Sequence, residues 1–194
     1  MTQQRYWFWP VTLATLSVGA ELAAWTPALR FERGMLLTEP WRVLTAHLVH
    51  LGWAHLLLNM AALFVLSALF AQDIRPMQWV RGWCVSSVAV SGGLYCWHPN
   101  LAVYVGSSGV LHGLAAAAVV PLCRRGSRYA VWLIGGLVLK LGWEQCVNSM
   151  PGVSAWVGGP VIVNAHLYGT LGGLACGLLE YGQELLQGPA HMPP

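Results

Sequence analysis

Six apolar stretches run the length of the chain, Trp9–Leu29, Ala54–Ala71, Val80–Trp97, Gly109–Cys123, Ala130–Val147 and Ala165–Leu179, with short turn-rich segments between them. A helix needs roughly 20 residues to cross bilayer hydrocarbon, and fewer when it stops part-way. Backbone at that depth must satisfy its own polar groups, which leaves helices or closed barrels. Stretches of this length point to helices. Composition agrees, since 56% of the 194 residues are hydrophobic and 9% are charged, against roughly a quarter charged in soluble domains. The expected fold is an all-α membrane protein, a six-transmembrane-helix bundle, with residues 1–194 as a single domain. Ser17-Val-Gly-Ala20 loosely resembles a signal-peptide cleavage site, but the region before it holds only Arg5 and apolar sequence continues beyond Ala20. The first stretch is therefore read as a retained helix. The tail from Gly188 to Pro194 is expected to fray.

The basic residues orient this layout. Arg5, Arg75, Arg81, Arg124, Arg125 and Arg128 fall on one side, whereas the other side has Arg30, Arg33 and Arg42, all in its first loop. The positive-inside rule puts both termini in the cytoplasm. The loops holding His47, Gly106-Ser107-Ser108 and Asn164 then face outward, toward the periplasm of a Gram-negative cell, from its inner membrane. Basic residues this dispersed form no nucleic-acid patch. Eleven tryptophans, many near segment ends, suit the two interfacial belts. The five cysteines lack metal-site spacing. Cys96 and Cys146 fall at outer helix ends, where oxidation is favoured, and are a candidate disulfide.

One segment departs from simple spanning. Gly109–Cys123 is short for a full crossing, and His98–Val105 before it is apolar without a helical pattern. This fits a loop that dips into the protein and launches a helix from within the membrane, lining a cavity at Ser108.

Chemistry concentrates around that point. In Gly106-Ser107-Ser108-Gly109-Val-Leu-His112-Gly113 a serine at a helix start exposes its hydroxyl and offers its own N–H to an oxyanion. Gly109, Gly113 and Ala117 recur every fourth residue, as do Gly169, Gly173 and Gly177 in the last stretch. Two such stripes let backbones approach closely, which would bring His166 to Ser108. An ionisable residue inside a span is expensive and is a functional candidate by default. A neutral imidazole can take the serine proton and later deliver it to a leaving amine. Asp73 and Glu180 lie at the inner end, so no carboxylate offers itself as a third member, and a Ser–His dyad is expected.

The run from the first loop into the second stretch carries His47, His50, His55 and Asn59. His55 and Asn59, spaced i and i+4, share a helix face and suit an oxyanion hole beside the Ser108 amide. A polar staple between helices is the plainer alternative, and zinc on His47, His50 and His55 lacks the usual accompanying ligands. Lys140 and Glu144 are also i and i+4. They read as an internal ion pair that lowers insertion cost, with a Ser–Lys dyad as the reactive alternative. Glu21 has no assigned role.

Taken in order, Trp41-Arg42, HxxHxxxxHxxxN, GxSG and Ala-His166-x-x-Gly169 resemble the rhomboid intramembrane proteases. The resemblance implies Ser108 as nucleophile and His166 as base. It implies His55 and Asn59 as oxyanion-hole residues with Ser108, Gly106 and Gly109 as supports, and Trp41 and Arg42 as a surface-fixing first-loop motif. It implies neither cofactor nor metal. Many rhomboids have tyrosine four residues after the serine, where this chain has His112, which is expected to pack against and orient the base. The GSSGVLHG string and compact length resemble the rhombosortase branch. That branch implies substrates tethered by a C-terminal transmembrane helix of the GlyGly-CTERM type, with transfer to an amine acceptor as a variant outcome. The alternatives are a non-catalytic rhomboid-like binder of membrane helices, which should lack the serine or histidine, and a small transporter, which should show inverted repeats.

Overall fold

The computed structural model describes residues 4–147 and 151–187; the tail assigned above to fraying lies outside them. In chain order it holds α1 (Gln4–Leu22), α2 (Thr26–Leu29), β1 (Phe31–Glu32), α3 (Arg42–Thr45), α4 (Trp53–Phe70), α5 (Pro76–Trp97), β2 (Val103–Tyr104), α6 (Ser108–Arg124), α7 (Arg128–Val147), α8 (Pro151–Val157) and α9 (Val163–Gln187). Each of the six apolar stretches contains one long helix, with altered ends. The first breaks after Leu22, where Ala24 takes a positive φ of 53° and Pro27 starts the separate turn α2. The last runs on to Gln187, because its polar end is carried by ion pairs rather than by hydrocarbon. By length and composition alone, α4 and α7 are long and apolar enough to cross a membrane.

The small-residue stripes set the packing. α6 lies against α9 and α5 along its length, and Val110, Leu111, Leu114, Ala118 and Leu122 are buried in a core shared with α1, α4 and α5. A Cβ built on Gly109 would stand 2.6 Å from the Ala165 carbonyl oxygen. One built on Gly169 or Gly173 would overlap the carbonyl of Gly109 or Gly113 respectively. Backbone, not side chain, forms this contact, so only glycine is admitted. By contrast α7 turns outward, with Trp132 79% and Leu139 76% exposed, and buries only Ala130, Leu141 and Glu144. An apolar surface this extensive needs a non-aqueous solvent around it.

The segment before α6 is irregular, as expected, and is held by neighbours. Phe31 and Glu32 pair antiparallel with Tyr104 and Val103. The Gly106 N–H donates to the Ala46 carbonyl at 3.0 Å, and the Tyr104 hydroxyl donates to the Gly106 carbonyl at 3.1 Å. Two arginines of the long first loop are also consumed internally. Arg33 donates to the carbonyls of Leu94, Tyr95, His98 and Leu101, closing the C-terminus of α5. Arg42 is 4% exposed, pairs with Glu39 at 2.6 Å and donates to Pro27 and Arg30 carbonyls. The positive charge of these two arginines therefore serves structure. At the opposite end Arg81–Glu180, Arg124–Glu184 and Arg125–Asp73 tie α5, α6, α9 and the turn after α4 together.

The candidate disulfide is not formed. Cys96 and Cys146 are both free and exposed. Their helices, α5 and α7, each pack on α6 and α9 and share no substantial contact, so the intervening pair separates the two thiols.

Candidate active site

Successive long helices alternate in direction, so the first turns of α4, α6 and α9 meet the last turns of α5 and α7 at one end of the bundle. Ser108 opens α6, His166 lies in the first turn of α9, and Glu144 lies in the last turn of α7. The glycine stripes bring α6 and α9 to backbone contact and leave the Ser108 hydroxyl oxygen 3.0 Å from His166 Nε2. As the first residue of its helix, Ser108 has a backbone N–H outside the intrahelical ladder. The expected partners of this pair line the same cavity, of about 290 Å³, which includes His55, Asn59, His112, Lys140, Glu144 and Val161. It lies between α4 and α7, which share no substantial contact, with α8 beside it.

The histidines of the second motif do different things. His47 is fully buried, with Nδ1 3.3 Å from the Gly106 carbonyl and Nε2 3.2 Å from both the Ser87 carbonyl and the Ser91 hydroxyl. Burial lowers its pKa to about 4, so it stays neutral. It is a staple beneath the irregular loop. His50 Nε2 lies 3.4 Å from the Ser107 hydroxyl. His55 Nδ1 accepts from the Leu51 N–H at 3.4 Å, which leaves its proton on Nε2. A Cβ on Gly106 would stand 2.9 Å from that Nε2, and Gly106 has φ +115°, so glycine is required there twice over. Asn59 donates one amide hydrogen to the His55 carbonyl at 3.0 Å, leaving the second free for the cavity. Trp41 is half-exposed beside the buried Arg42.

His112 stacks on His166, with ring centroids 4.2 Å apart and planes 15° from parallel. Its Nδ1–H donates to the Ser108 carbonyl at 2.7 Å. Both contacts are those of a ring packed within the site. A flat hydrogen-bonding ring is what the position uses, so His112→Tyr should keep at least tenfold more activity than His112→Ala in a cleavage assay. Equal and complete loss in both would mean that an imidazole is chemically required.

A carboxylate lies against the base of the expected Ser–His pair. Glu144 Oε2 lies 2.9 Å from His166 Nδ1, and the same carboxylate pairs through Oε1 with Lys140. The ion pair read from the i, i+4 spacing is therefore present, but it also reaches the histidine. Spacing alone could not reveal this, because α7 and α9 meet only in the fold. Lys140 spends its bond on Glu144, while the Ser108 hydroxyl faces His166. Ligand atoms of His112, Glu144 and His166 lie within 4.8 Å of one another. A metal, however, sits in the plane of each imidazole it binds, about 2 Å from nitrogen. Two stacked parallel rings aim their lone pairs along separate planes, so this trio is poorly disposed to share one metal ion.

A serine hydroxyl facing an imidazole at the floor of a cavity between apolar helices defines a membrane protein with a hydrolase-like site. A family model described as "Rhomboid domain" matches residues 37–183, and the chain belongs to the rhomboid family. Its similarity to "Putative rhomboid protease YdcA" of Bacillus subtilis (strain 168) is 24% identity over 156 residues, covering 77% of this chain and 71% of the relative.

Proposed function

We propose that this protein is an intramembrane serine endopeptidase with Ser108 as nucleophile and His166 as general base. The observation that carries the reading is the 3.0 Å approach of Ser108 Oγ to His166 Nε2 beside a cavity flanked by two apolar helices. Six long helices cross the inner membrane, both termini are cytoplasmic, and the cavity opens toward the periplasm; the arginines at the far end of the bundle favour this orientation.

In the reaction, Ser108 Oγ attacks the scissile carbonyl carbon as its proton passes to His166 Nε2. The carbonyl π electrons move to oxygen, where the Ser108 N–H, His55 Nε2–H and the free Asn59 amide hydrogen are the available donors. Collapse of the tetrahedral intermediate expels the amine, which takes the proton from Nε2 and leaves an acyl-enzyme. Water, or an amine acceptor, then releases the acyl group.

The substrates are membrane-tethered proteins cut in the region of a C-terminal transmembrane anchor, of the GlyGly-CTERM type. Support for that choice, and for the rhombosortase branch, is the Gly106–Gly113 string with His112 stacked in place of the more usual tyrosine. A fluorophosphonate probe tests the core of the reading. Purified protein should be labelled at one residue, Ser108, as mapped by peptide mass spectrometry. Failure to label folded protein would favour the alternative, a non-catalytic binder of membrane helices.

A further inference from the structure

We infer that Glu144 is the positioning residue of a Ser108–His166–Glu144 triad, with Lys140 as the cation that keeps its carboxylate ionised. This rests on the reading of Ser108 as nucleophile and His166 as base. It starts from an oddity of α7, which turns nearly every side chain outward yet buries a carboxylate at 1% exposure. An unpaired charge there would be strongly unfavourable. Both oxygens are committed, Oε1 to Lys140 and Oε2 to His166 Nδ1.

A lone counter-ion for Lys140 would not need this placement. The Lys140 side chain is 45% exposed, so a partner one turn away could meet it in the open part of the cavity. Glu144 instead points inward at the one nitrogen of His166 that does not face Ser108. A neutral imidazole has one donor and one acceptor nitrogen. An ionised acceptor at Nδ1 holds the proton there and leaves the Nε2 lone pair for the serine hydroxyl. His112 fixes the plane of the ring by stacking, and Glu144 fixes its rotation within that plane. When the Ser108 proton moves to Nε2, the imidazolium forms beside an existing negative charge. The Nδ1 proton stays on nitrogen throughout, so Glu144 stabilises charge without accepting a proton.

The test uses whole protein in detergent and a fluorophosphonate, which Ser108 attacks with loss of fluoride as its proton passes to His166. In Glu144→Gln the maximal labelling rate, kinact, should fall on the order of 10²–10⁴-fold, the range for a general base, with KI changed less than about threefold. Adding Lys140→Met removes the stranded cation, and this double variant buries no charge, so it carries the test even where the single variant accumulates poorly. A triad predicts that the double variant stays as slow as Glu144→Gln. Recovery of the double variant to within a few-fold of the parent would make Glu144 a mere counter-ion and overturn the inference. Near-parental labelling by Glu144→Gln, with Ser108→Ala and His166→Ala both unreactive, would overturn the triad and leave the dyad standing. Labelling that survives Ser108→Ala would remove the nucleophile, and the triad with it.

Discussion

Ser108→Ala and His166→Ala should each reduce cleavage of a reporter bearing a C-terminal transmembrane anchor to background, a loss on the order of 10⁶-fold. The two losses should not add in the double variant, since the hydroxyl and imidazole act as one unit in the attack step. Ser108 bonds through its side chain to His166, and His166 through its ring to Ser108, Glu144 and His112, all inside the site. Abundance and membrane insertion should match the parent, as checked by blotting of membrane fractions. A well-inserted Ser108→Ala protein that still cleaves would reject the serine mechanism.

Gly169→Val should also be damaging, to a smaller extent and by a different route. The added Cβ would overlap the Gly109 carbonyl, which is backbone in the middle of the tightest helix contact and cannot rotate away. The helices must separate, and overpacking of this kind costs on the order of 3 kcal/mol. His166 is one turn from Gly169 and Ser108 is next to Gly109, so the separation falls between nucleophile and base. A displacement of about 1 Å is enough for a roughly 100-fold loss of rate. Thermal unfolding in detergent should show a lower midpoint, and fluorophosphonate labelling should fall with it. Gly135→Val, on the outward-facing α7 where a Cβ meets nothing, is the matched control. Equal labelling of both variants would mean that the glycine stripes do not set the site geometry.

These two results, one chemical and one steric, mark how far the sequence could be read. The stripes of Gly109, Gly113 and Ala117 and of Gly169, Gly173 and Gly177 are periodic, and periodicity is a local property that survives in one dimension. Together with an ionisable His166 inside a span, it points to an approach of His166 to Ser108. The same holds for His55 and Asn59, which share a helix face by spacing. His112, four positions after Ser108 on the same helix, points one turn deeper than the serine, which favours packing over a second base.

Where two helices meet without such a stripe, the sequence was silent or misleading. Cys96 and Cys146 share the expected end of the bundle, yet α6 and α9 stand between their helices. Asp73 and Glu180 belong to the far end, and the spacing of Glu144 offers it only as a partner of Lys140, its neighbour along α7. The contact that matters joins the last turn of α7 to the first turn of α9, and no pattern within either helix encodes it. The sequence by itself determined the helices and the close α6–α9 pairing, because each follows from hydrophobic length or residue period. Only the tertiary structure decided which outward-facing helix turns one carboxylate inward to meet His166, because the lateral order of helices is chosen by packing across the whole bundle.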